Sequence, residues 1–122
     1  MKIRKKDGTF KEIIYSESQL YNYGINRLSE REFGRKELSI KMKRLQPDIA
    51  IVENVLSRLE AKNYLSDERR AKSLIRQFIE REGLGKVKQR LALKGLSQDV
   101  IADAINEVKS LDIEENAEEK NA

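Results

Sequence analysis

The chain has 122 residues, of which 38% are charged and 39% apolar, so it has room for a row of small units but not for one large core. It contains no histidine and no cysteine, which removes the commonest general base, the thiol nucleophile, disulfides and thiolate metal sites. No run approaches the roughly 18 apolar residues that span a bilayer, and no apolar signal core follows the basic N-terminus, so a cytoplasmic protein without membrane, metal or cofactor is expected.

Residues 1–15 allow two readings. Asp7-Gly8 suits a tight turn between Lys2–Lys6 and Thr9–Tyr15, giving a hairpin; a flexible basic arm is the alternative. Helix signals then dominate. Ser16 and Gln19 form a capping box that opens a helix bearing Leu20, Tyr23, Gly24 and Leu28. A shorter helix starts near Gly34–Arg35 and carries Leu38 and Met42. Asp48, after the lone proline Pro47, caps a third with Val52, Val55, Leu56 and Leu59 at helical spacing.

The order then recurs. Ser66 caps a helix with Ala71, Leu74, Ile75, Phe78 and Ile79 that stops at Gly83. A short helix with Val87 and Leu91 ends at Gly95, a good left-handed C′ residue. Ser97 caps the last, with Val100, Ile101, Ala104, Ile105 and Val108. An offset of 49 pairs Leu38 with Val87, Met42 with Leu91, Lys41 with Arg90, Asp48 with Ser97 and Leu56 with Ile105; the leading helices align at 51. Matched caps and matched order indicate a tandem repeat. The expected fold is therefore all-α: three-helix repeats over 16–63 and 64–111, forming an elongated, curved body. Residues 112–122 make an acidic tail or the start of a truncated third repeat.

Charge is uneven along this frame. Residues 112–122 hold five acids against one base, which leaves residues 1–111 with 24 bases against 16 acids, a net +8. Such a body suits an acidic partner, whether nucleic acid, a nucleoprotein or an acidic protein face; a merely soluble surface is the alternative. Lys86, Arg90 and Lys94 recur every four residues, one stripe away from Val87 and Leu91. In the first copy Arg35, Lys36, Lys41, Lys43 and Arg44 crowd the equivalent helix. Aromatic residues are not interleaved with these bases along the sequence, which argues against a stacking platform for single strands.

Catalytic chemistry finds little support. Carboxylate pairs such as Glu30/Glu32 and Glu114/Glu115 read as solvated surface. Gly83-Leu-Gly85-Lys86 lacks the spacing of a phosphate loop, and Val87 stands where Ser or Thr would hold magnesium. No enzyme is expected.

Three stretches together resemble the RecX family, regulators of the bacterial recombinase RecA. Leu28-Ser-Glu-Arg31, followed by Gly34 and Glu37-Leu38-x-x-Lys41-Met42, is similar to Leu-Ser-x-Arg, a small residue, then Glu-Leu-x-x-Lys-Leu. Leu59 through Asn63-Tyr64-Leu65-Ser66-Asp67 to Arg69-Arg70-Ala71 is similar to Leu-x-x-x-Gly-Tyr-Leu-Asp-Asp-x-Arg-Phe-Ala. Val87-Lys88-Gln89-Arg90-Leu91-x-x-Lys94-Gly95-Leu96 is similar to Ile-Arg-Gln-x-Leu-x-x-Lys-Gly-Ile. Asn63 stands for glycine, Ser66 for aspartate and Arg70 for phenylalanine, so Arg70 is expected at the surface or snorkelling. The family has three such repeats, so the resemblance implies a short form lacking most of the third.

The resemblance implies a regulatory protein of DNA repair and recombination. It would bind the RecA–DNA filament as a monomer and restrain recombinase ATPase and strand exchange, with DNA contacted through phosphates. The candidate contact set, for recombinase or phosphate, is Arg31, Arg35, Lys36, Lys41, Lys86, Lys88, Arg90 and Lys94. A direct DNA-binding helical protein and a non-catalytic helical adaptor are the alternatives.

Overall fold

A computed structural model describes the backbone of residues 2–121 and the side chains of residues 2–110. The expectation for the acidic segment Asp112–Ala122 therefore falls on side chains outside the described residues.

A short hairpin opens the chain: β1 (Lys2–Arg4) pairs antiparallel with β2 (Phe10–Glu12), Ile3 facing Lys11. Gly8 takes φ +88° at the turn. The Asp7 carboxylate accepts from the Thr9 amide at 2.9 Å and hydroxyl at 2.6 Å, the local bonding that suits Asp to turns.

Five helices follow: α1 (Glu17–Glu30), α2 (Arg35–Lys43), α3 (Ile49–Ala61), α4 (Asp67–Leu93) and α5 (Gln98–Asn121). Their starts are chemically explicit. The Ser16 amide donates to Gln19 Oε1 at 2.9 Å, while the Gln19 amide donates to Ser16 Oγ at 3.2 Å, so the capping box is complete. Asp48 accepts from the Ala50 amide at 2.9 Å, and Ser97 from the Val100 amide at 3.2 Å. At α2 the cap works in reverse: Gly34 has no side chain, and its amide donates to Glu37 Oε1 at 3.0 Å.

The stops match the sequence signals. Gly83, at φ +78° and ψ 168°, breaks α4 into two helical pieces, so the second unit also has three. Gly95 is left-handed at φ +88°, and the Leu96 amide returns to the Leu91 carbonyl at 3.3 Å, the Schellman pattern. Asn63 does the same after α3 with φ +62°, the Tyr64 amide reaching the Leu59 carbonyl at 3.0 Å.

The chain divides into two compact units between Ser66 and Asp67, each with its own core. In the first, Leu20, Leu38, Met42, Val52, Leu56 and Leu59 are fully buried, and α3 packs on both α1 and α2. In the second, Leu74, Ile75, Val87, Leu91, Ile101 and Ile105 form the core, where α4 packs on α5. The apolar residues that pair at offset 49 thus occupy corresponding cores: all-α tandem three-helix units, with a small hairpin added. Gln46, buried in the first unit, donates from Nε2 to the Tyr15 carbonyl at 2.8 Å and accepts from the Asp48 amide at 2.9 Å. It ties the end of the hairpin segment to the α2–α3 loop.

One departure concerns Arg70. It is not spread on the surface but buried, at 6% exposed. It is one of the buried residues on the first piece of α4, beside Ala71 and near Leu74 in sequence, and it has an interaction partner within the protein.

Candidate binding surface

In the first unit the bases surround α2. Leu38 and Met42 turn inward, so Lys36, Lys41, Lys43 and Arg44 are left on exposed positions, as a 3.6-residue period requires. Arg31 precedes the helix; its Cζ lies 3.7 Å from the Phe33 ring centroid, and Lys41 Nζ lies 5.9 Å from the same ring. Arg35 is committed elsewhere. It pairs with Glu53 and Glu60 of α3 and donates to Ser57 Oγ at 3.4 Å, locking α2 to α3.

In the second unit Lys86, Lys88 and Lys94 are exposed and Arg90 is half-buried. Arg90 pairs with Glu82, with Nε 3.2 Å from Oε2, and its Cζ lies 3.8 Å from the Phe78 ring centroid. The Arg90 hydrogen bond holds the Glu82 carboxyl below its ordinary pKa. Lys86, Arg90, Glu82 and Leu93 line one shallow depression of about 360 Å³, so the stripe surrounds an acid as well as bases. Lys88 lies on another depression, with Ile101, Ile105 and Lys109.

The eight candidate cations therefore separate into three groups. Arg35 and Arg90 hold the fold through ion pairs, while Lys36, Lys86 and Lys88 are exposed and make no salt bridge to a described residue. Arg31 and Lys41 share one ring, and Lys94 follows directly on α4.

The fold also places aromatic rings among the bases, which linear order hides. Tyr15 and Tyr23 meet edge to face with centroids 6.3 Å apart. They line a groove of about 410 Å³ together with Lys41, Arg44 and Leu45. The same two tyrosines line a second groove of about 440 Å³ with Ile3, Asn22 and Asn26. Asn22 and Asn26 lie four apart on α1 and so share a face, the one sequence signal available for them. Among the described residues no group of Asp and Glu is arranged to hold a metal ion, and no helix is long and apolar enough to cross a membrane.

Two three-helix units carrying a cationic surface define a helical-repeat protein. The comparisons with known proteins specify which. No model of a protein family matches the chain. A regulatory protein RecX of Haemophilus influenzae is 35% identical over 92 residues, covering 74% of this chain and 60% of that protein. Proteins of the same name from Leptothrix cholodnii and Prosthecochloris aestuarii are 33% and 34% identical, over 71% and 73% of this chain. A solved structure of a regulatory protein RecX shares the fold, with TM-score 0.67 at 24% identity, over 75% of this chain and 46% of that one. Over 71% to 74% of its length the chain is thus similar to regulatory proteins of the RecX family. It spans between 55% and 60% of the length of these curated relatives.

Proposed function

We propose that this chain regulates a RecA-type recombinase by binding its filament on DNA, as a monomer and without a cofactor, restraining ATP turnover and strand exchange. Similarity to the RecX regulatory proteins carries the proposal. The exposed Lys36, Lys86 and Lys88 agree with it, because an acidic nucleoprotein is what such cations attract. Arg31, Lys41 and Lys94 extend the contact set, and Arg35 and Arg90 support it from within the fold.

The test is recombinase ATPase and strand exchange on single-stranded DNA with increasing amounts of this protein. Inhibition that weakens with added salt is the expected result. Lys36→Glu/Lys86→Glu/Lys88→Glu should retain the helical circular dichroism of the wild type and lose inhibition. Unchanged turnover with the wild-type chain would overturn the proposal; tight binding to bare duplex with unchanged turnover would point to a direct DNA-binding protein.

A further inference from the structure

The two grooves that share Tyr15 and Tyr23 differ in chemistry. One is cationic, with Lys41 and Arg44; the other offers the amides Asn22 and Asn26. Between them, in both walls, stand two aromatic rings at 89° to one another. Cations for phosphates, π-faces for bases and amides for base edges are the three requirements of a single-stranded nucleic-acid site. The hairpin beside the second groove adds charge, since Lys2, Arg4, Lys5, Lys6 and Lys11 outnumber Asp7 and Glu12 there. The cationic groove has the volume of a small-ligand site, roughly 300–1,000 Å³, and its described lining contains no acid.

We infer that the Tyr15–Tyr23 pair is a binding site for single-stranded nucleic acid. A base stacks against the tyrosines, the flanking phosphates lie on Lys41 and Arg44, and Asn22 and Asn26 meet base edges. An acidic peptide fits less well: it would use Lys41 and Arg44 but leave the stacked rings and the amide row without partners. The site lies wholly within the first unit and is distinct from the Lys86 and Lys88 surface. It deepens the proposed filament partnership by assigning the DNA strand its own contact, yet its measurement needs no recombinase. Either can therefore fail while the other stands.

The experiment uses the full chain, a fluorescent oligothymidylate and an abasic strand of equal length and charge, at low salt. The chain has four tyrosines and no tryptophan, so tyrosine emission reports stacking directly. Quenching on binding the oligothymidylate, with affinity about 10-fold above the abasic strand, is expected. Tyr23→Leu, which keeps an apolar side chain, should lose about 10-fold in affinity, and Tyr23→Phe should retain it. Lys41→Gln/Arg44→Gln, at exposed positions, should reduce the slope of log affinity against log salt by about 1.4. Equal affinity for the abasic strand, or displacement of the oligothymidylate by polyglutamate with tyrosine emission unchanged, would overturn the inference. Wild-type affinity in a folded Tyr23→Leu variant would do so as well.

Discussion

The guanidinium of Arg90 lies 3.8 Å from the ring centroid of Phe78, with the helix break at Gly83 between them in sequence. Glu82 pairs with the same Arg90, so a residue after the break is held by two residues before it. Lys41, which aligns with Arg90 at offset 49, lies over Phe33 in its own unit. In each repeat the aligned cation faces a phenylalanine, and part of the recurrence of these bases belongs to folding.

This clamp gives a pH dependence. The Arg90 hydrogen bond is the largest cause lowering the Glu82 pKa, and the charges of Arg90, Arg81 and Lys86 add to it against the desolvation that raises it. A depressed carboxyl contributes stability that is present above its unfolded pKa and is lost as pH falls through the folded value. Thermal melting should therefore fall as the solution is acidified below the ordinary glutamate range. Arg90→Gln should lower the neutral-pH melting temperature and flatten that acid dependence, whereas Lys86→Gln should leave melting at neutral pH nearly unchanged. Wild-type melting of Arg90→Gln would show that the pair contributes nothing.

Gly24 is required by space. A Cβ there would lie 2.6 Å from Leu59 Cδ1 and 2.9 Å from Met42 Cε, both fully buried. Alanine ordinarily favours a helix over glycine by about 0.5–1 kcal/mol. Overpacking against two buried side chains costs about 1–3 kcal/mol. Gly24→Ala should thus destabilise the first unit in urea titration, against propensity.

Asn63 occupies a left-handed position, φ +62°, which costs most side chains about 1–2 kcal/mol and asparagine less. Asn63→Ala should lower stability by about 1 kcal/mol, while Asn63→Gly should not lower it. Denaturant midpoints of the two variants give the comparison, and equal midpoints would remove the conformational explanation.

The two cores make a paired prediction. Leu56 is fully buried in the first and Ile105 is 6% exposed in the second, so replacing either with alanine should cost about 2–5 kcal/mol. Calorimetry of both variants checks it; wild-type melting of either would contradict the assignment of that residue to a core.

What the sequence by itself determined is local or periodic. The Ser16, Asp48 and Ser97 caps act within three residues of chain, and the stops at Gly83 and Gly95 need only a residue tolerant of positive φ. The cores of the two units follow from 3.6-residue periodicity and the 49-residue offset. Three features were settled only by the tertiary structure. Arg35 is drawn to Glu53 and Glu60 across 18 and 25 residues, and Arg70 is buried where its charge predicted exposure. Tyr15 and Tyr23 come beside Lys41 and Arg44 only when α1 and α2 are both in place. Periodicity reports which face of a helix turns inward, but it does not say which neighbour that face meets; that is decided by packing, and with it which bases are tied into the fold and which remain exposed.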